Sequence, residues 1–256
     1  RPLSASAPSA SQKTPTHTTT KQPTLMDFVA DAHKETVAGV MKASTLSAKS
    51  AEEEFVAHPA VYDWLLDHPD RTSLGWQRMK TPCVDIADLG KGQFHWADEN
   101  GSELTWQSVG DIPNGRIWYA TGKVKAAALM PMIPVKAVAV LQAPRGAQDK
   151  NGYCAFKPVV NVYMQCDSKL ANAALRMAGP SAPKMAEEGA EQLLYFFSGV
   201  ARYLEKNLKG ERMNGVHCLV SEEFFDALTS HDNVKAAYDR WQDGLALRSD
   251  LRSGFT

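Results

Sequence analysis

This chain of 256 residues carries seven histidines, four cysteines and 29 carboxylates, and their spacing joins few of them into a reacting group. Nucleophilic catalysis needs a nucleophile, a base and a group that orients the base. No G-x-S-x-G elbow is present. Ser198-Gly199 lies in an apolar helical run, where packing is the expected role. His217 and Cys218 are neighbours in a strand-like run, and neighbours on a strand point to opposite faces. His58 and His68 each precede a proline and read as helix-boundary residues. His95, between Phe94 and Trp96, reads as a solvent-facing or hydrogen-bonded strand residue.

Metal chemistry finds little more. Asp63, Asp67, His68 and Asp70 crowd one stretch, but a hard-ion loop needs regular oxygen-ligand spacing around a central glycine, which is absent. A solvated helix end accounts for the run. Cys83, Cys154, Cys166 and Cys218 form no C-x-x-C pair and have no zinc-type spacing to histidine, so they read as small buried hydrophobes, and they leave the compartment undetermined. Gly90-Lys91-Gly92 has neither Walker nor Rossmann spacing and reads as a turn. The expectation is a protein that is not an enzyme, with no catalytic residue, no metal site and no cofactor.

Aromatic residues carry the stronger signal. Trp96, Trp106, Trp118, Phe156 and Tyr163 fall in strand-like runs, and Phe196 and Phe197 fall on a long helix. Such a set lines an apolar cavity or fills an ordinary core, and spacing alone leaves both readings open. The run Ala126–Pro134, with Pro131 and Pro134, reads as an apolar loop: a pocket lid, an interface patch or a buried crossover.

Periodicity supplies the elements that would position these groups. Residues 1–25 are rich in Ser, Thr, Pro, Ala and Lys and cannot bury enough surface to offset ordering entropy, so they read as a disordered head. Helical spacing runs over Leu25–Ser50 and Glu52–Asp67, with Pro59 starting a fresh turn and His68-Pro69-Asp70 ending it. From Thr72 the pattern becomes strand-like. Candidate strands are Gln93–Ala97, Glu103–Val109, Arg116–Val124, Lys136–Gln142 and Tyr153–Gln165, separated by turn signals at Asn100-Gly101, Asn114-Gly115 and Asn151-Gly152. A short helix is expected at Lys169–Met177. The strongest helix covers Pro183–Asn207, with an apolar stripe through Gly189, Leu193, Phe196, Val200 and Leu204. Beyond it come a strand at Val216–Val220 and two short helices, one carrying Phe224, Phe225 and Leu228, the next Val234, Tyr238 and Trp241.

Hydrophobic residues at 44% and charged residues at 22% are ordinary for a globular chain. The net charge of -1 provides no basic field to draw nucleic acid, and no sequence readout of nucleic acid is expected. No apolar run of about 18 residues suggests a membrane span. The chain opens on Arg1, so a fragment or a processed chain is expected, with Met26 as a candidate start.

Two resemblances emerge from these runs. The run Val216–Leu228, continued through Tyr238, Trp241 and Leu247–Phe255, resembles the strand–helix–helix segment of lambda-type tailed-phage major capsid proteins. It implies a structural role in a virion, with the chain as its own partner in a shell and Arg240, Arg248, Asp250 and Arg252 as candidates for contacts between subunits. The order of elements over residues 50–204, hairpins and then a long amphipathic helix, resembles START-like helix-grip domains. That resemblance implies non-catalytic binding of a lipid or another apolar small molecule. The fold class expected is α+β: an antiparallel hairpin sheet packed on a long helix, followed by a small strand–helix–helix segment. Its parts would be a head (1–25), a body (26–204) and a capsid-like segment (205–256).

Overall fold

The computed structural model describes residues 23–79, 81–125, 132–166 and 182–208. The expected helix at Lys169–Met177, the elements from Val216 onward and most of the run Ala126–Pro134 lie outside them. The fold is α+β, an antiparallel sheet packed against helices, as expected.

Nine strands and four α-helices are described. They run α1 (Asp31–Lys42), β1 (Leu46–Lys49), β2 (Phe55–Ala57), α2 (Pro59–Asp67), α3 (Pro69–Arg78), β3 (Ile86–Gly90), β4 (Gln93–Ala97), β5 (Glu103–Ile112), β6 (Gly115–Val124), β7 (Ile133–Gln142), β8 (Cys154–Phe156), β9 (Val159–Cys166) and α4 (Ala182–Leu208). Seven strands form one sheet in the order β1-β9-β7-β6-β5-β4-β3, and β2 pairs with β8 in a small second sheet. Every pairing among the described strands is antiparallel.

Turn chemistry sets the hairpins. Asp98 Oδ1 accepts from the Asn100 and Ser102 N–H groups between β4 and β5, and Gly101 takes φ +87° there. Pro113-Asn114 closes β5 onto β6, with Asn114 in the left-handed region.

The structure corrects several expected boundaries. The helix of Leu25–Ser50 is confined to Asp31–Lys42, because Leu46–Lys49 is drawn out as an edge strand on β9. Phe55–Ala57 is likewise a strand, held by β8, and the helix of Glu52–Asp67 begins only at Pro59. His68-Pro69 does not end helical structure. His68 is shared as a cap, and Pro69 opens α3, where strand-like pattern was expected from Thr72. β3 lacks an alternating apolar signal, and its Leu89 is exposed. Ile133 and Pro134 are part of β7 rather than of a loop. Lys157-Pro158 breaks Tyr153–Gln165 into β8 and β9.

The sheet is covered on both faces. On one, α1 and the segment before it bury Val29, Val37 and Val40 against Ile117, Val138 and Val140. The Ala30 N–H donates to the Val109 carbonyl at a bulge in β5, tying that segment down. On the other face, α4 and α2 build the larger core. Leu194, Phe197, Val200 and Leu204 of α4 recur at steps of three and four and pack with Tyr62, Leu65, Leu141 and Val160.

Polar contacts fix α4 to its neighbours. Ser198, fully buried, donates from Oγ to Glu53 Oε2 at 2.8 Å, and Arg202 pairs with the same carboxylate. Trp76 of α3 donates from Nε1 to the Phe196 carbonyl at 2.8 Å. Its ring lies on Gly199, where an added Cβ would fall inside the ring's van der Waals envelope.

The two glycines of α4 differ physically. An added Cβ at Gly189 meets nothing within 4 Å. Gly199→Ala is therefore expected to destabilise by about 1–3 kcal/mol through overpacking. Gly189→Ala is expected to stabilise by about 0.5–1 kcal/mol through helix propensity. Urea denaturation of both variants checks the contrast.

His58 adds a pH dependence. Its Nδ1 accepts the Ala60 N–H at 3.3 Å and caps α2, a role only the neutral ring can fill. Burial holds its pKa below the ordinary 6.5, against an opposing pull from Asp149. The unfolded chain thus takes up a proton that the folded chain resists. The stability from this group is fully present above about pH 6.5 and is lost as pH falls from there through the depressed folded value. His58→Asn retains a capping acceptor that does not titrate. It should flatten the slope of stability between about pH 5 and 7, measured by denaturation curves taken across that range.

Candidate ligand cavity

The face of the sheet under α4 is assembled by register. One rung runs Phe94, Trp106, Ala120, Ala137, Met164 and Leu46 across β4, β5, β6, β7, β9 and β1. The next runs Trp118, Ala139, Val162 and Ala48. Because side chains alternate with period two, these residues all point to the same side. The centre of that face is alanine, and tryptophans stand at its flank.

α4 opposes this face with side chains of two sizes. Leu194, Phe197, Val200 and Leu204 fill the half towards its C-terminus. Ala186, Gly189 and Ala190 face the other half. Small side chains on both walls leave a cavity of about 690 Å³ between the sheet and the N-terminal half of α4, within the usual range for small-molecule sites. Gly189, Gln192 and Val84 line it and are also exposed, so its mouth opens between α4 and the α3–β3 connection.

Trp96, Trp106, Trp118, Phe196 and Phe197 line this cavity. Trp118 stacks on Phe197 with ring centres 5.6 Å apart and marks the boundary with the filled half. Two other expected wall residues are placed elsewhere. Phe156 is fully buried in the filled half, packed on Phe55 at 5.3 Å and Tyr62 at 5.0 Å, because β8 leaves the main sheet to pair with β2. Tyr163 lies one register position from Val162 and Met164, which turns it to the opposite face, against the core under α1. Arg240, Arg248, Asp250 and Arg252 lie outside the described residues.

Sequence reasoning missed the small residues. Ala120, Ala137 and Ala139 alternate with larger residues on β6 and β7, which signals a shared face but not an empty one. Cys83, Val84 and Ile86 also line the cavity, and no periodicity marks them.

Among the described residues lining the cavity, none bears a formal charge at neutral pH. Besides the indole N–H groups, the polar side chains there are Thr45, Gln192, Cys83 and Cys166. Thr45 Oγ1 accepts the Cys166 N–H at 3.1 Å. Burial pushes the Cys166 thiol up, which keeps it protonated at neutral pH and a poor nucleophile. The nearby acidic run is engaged in ion pairs. Asp67 takes Arg116 in a two-pronged grip at 2.8 and 2.9 Å, and Asp63 pairs with Arg145. His95 lies on the opposite face, with its ring 3.2 Å from Thr105 Oγ1.

Residues 190–256 match the family described as phage major capsid protein E. The match begins at Ala190, within α4, earlier than residue 205, and supports a phage capsid region at this end of the chain. No curated protein matches the chain. Among solved structures, the crystal structure of Ara h 8.0201 is similar at 12% identity, covering 62% of this chain and 99% of that one, with a TM-score of 0.35. An uncharacterised protein from Rhizobium leguminosarum is similar at 13% identity, covering 60% and 99%, with a TM-score of 0.30. The di-domain ARO/CYC BexL from the BE-7585A biosynthetic pathway is similar at 14% identity, covering 70% and 55%, with a TM-score of 0.32. Likenesses at these TM-scores carry no weight for function. Among the described residues no helix is long and apolar enough to cross a membrane.

Trp118 has one ring face on Phe197 and is 7% exposed. Trp118→Ala should lower stability by about 3–5 kcal/mol, as loss of a large core aromatic does; the shift in urea midpoint measures it.

Proposed function

We propose that residues 26–204 form a non-catalytic module that binds an apolar small molecule between the sheet and α4. The observation that carries this reading is the cavity of about 690 Å³, walled by aromatic and small apolar side chains. Apolar ligands are held there by burial of surface rather than by reaction. The succession of hairpins and a closing helix is the START-like, helix-grip order, and in that arrangement the space between sheet and helix is the ligand site.

Gly189 supports the reading. A glycine inside a helix weakens it by about 1 kcal/mol relative to alanine. No neighbour requires one at this position, since an added Cβ would meet open space. It lines the mouth, where any larger side chain would narrow the entrance. Gly199, by contrast, is accounted for by the Trp76 ring.

A second reading has its own observation. The family match over residues 190–256 favours a structural role in a phage capsid, with self-association into a shell and localisation in the virion. Arg240, Arg248, Asp250 and Arg252 are then the candidates for contacts between subunits. Light scattering and electron microscopy of the chain at high concentration test this: regular assemblies support it, and a strict monomer opposes it.

For the binding reading, native mass spectrometry after mild purification should show a mass above that of the polypeptide, or titration with pyrene should quench tryptophan fluorescence saturably. Gly189→Phe fills the mouth without backbone strain. It should weaken pyrene binding at least about tenfold, the size of a lost favourable contact, with no loss of stability. Absence of binding in the unaltered chain would remove the reading.

A further inference from the structure

We infer that the cavity selects uncharged ligands, discriminating against both anionic and cationic amphiphiles, a conclusion that rests on the binding reading above. Apolar ligands in biology commonly carry a carboxylate, an ammonium or a phosphate, and a pocket that buries such a group needs a counter-charge within reach. Among the described residues this wall has none: no Lys, Arg, Asp, Glu or His lines the space. Lys123, beside the lining residue Val124, pairs with Glu103.

The physical consequence is one-sided. A charged headgroup carried inside would lose its hydration and find no counter-charge among the described lining residues, and burial of an unpaired charge is strongly unfavourable. A hydroxyl or carbonyl group is treated differently. Thr45 offers a hydroxyl on the wall, and Gln192 offers an amide at the mouth. Each can satisfy one neutral polar atom at the net value of an ordinary hydrogen bond. The ligand class is thus a neutral apolar molecule with one or two hydrogen-bonding atoms.

The mouth adds to the discrimination against anions. Glu187, Glu188 and Glu191 are exposed on α4 beside Gly189 and Gln192. Lys184 lies near Glu188 at 3.8 Å, which leaves this stretch of helix net negative. The effect on approaching anions is screened by salt, whereas the cost of burying a charge against the described wall is not.

Three fluorescent probes of one skeleton isolate charge from size: 1-pyrenebutanol, 1-pyrenebutanoate and 1-pyrenebutylammonium. Each is titrated into the full chain at pH 7.5 and at low and high salt, with Gly189→Phe as the control for the site. The alcohol is expected to bind at least tenfold more tightly than either ion at both salt concentrations, and the preference should vanish with the alcohol's binding in Gly189→Phe. Lowering the pH towards the carboxyl pKa should recover affinity for the butanoate probe, since its neutral acid form then enters. A difference of less than tenfold for either ion overturns the charge selection and leaves the ligand site standing. If none of the three probes binds, the ligand site itself is absent and both conclusions go.

Discussion

The constraint on which this structure depends is the unequal size of the side chains that α4 and the sheet turn towards each other. Towards its C-terminus α4 presents Leu194, Phe197, Val200 and Leu204, and these meet Tyr62, Leu65 and Phe156 in a filled core. Towards its N-terminus it presents alanine and glycine to a sheet that answers with Ala120, Ala137 and Ala139. Protein interiors are close-packed, and a facing pair of small residues would ordinarily be closed by approach of the two walls. Here the filled half keeps the helix at its distance, as a hinge plate holds a door ajar. The same helix therefore closes the core and roofs the cavity.

The polar contacts make that spacing persist. The Ser198–Glu53–Arg202 group and the Trp76 bond to the Phe196 carbonyl hold α4 from two sides. The contacts to Glu53 are partly shielded from water, where a hydrogen bond to a charged group contributes more than an exposed pair does. The Asp67–Arg116 grip joins α2 to β6 in the same way. These contacts surround the filled half, and the cavity lies beyond them. Among the described residues its wall is mostly apolar, with few polar groups to hold water.

The match to a capsid family begins inside α4, among residues that the described fold uses to complete its own core. The helix thus takes part in two patterns at once. Residues 190–204 pack with the sheet, and the greater part of the match continues past the described residues. Ala190, Gln192, Leu193, Phe196 and Phe197 belong both to the match and to the wall of the cavity.

The sequence by itself determined the elements whose signal is local. Asn-Gly turns placed the hairpins, period-two alternation marked β5 and β9, and steps of three and four marked α4. It also grouped Trp96, Trp106, Trp118, Phe156, Tyr163, Phe196 and Phe197 as one aromatic set. Only the tertiary structure decided the short strands Leu46–Lys49 and Phe55–Ala57, which local spacing assigned to helices, because their hydrogen bonds are made to β9 and β8, far along the chain. It alone sent Phe156 into the filled core and Tyr163 to the other face, since one register position on β9 reverses a side chain. The cavity belongs to this second group. Periodicity shows which residues share a face, but a space exists only where two faces, distant in the chain, both bring small side chains to the same place.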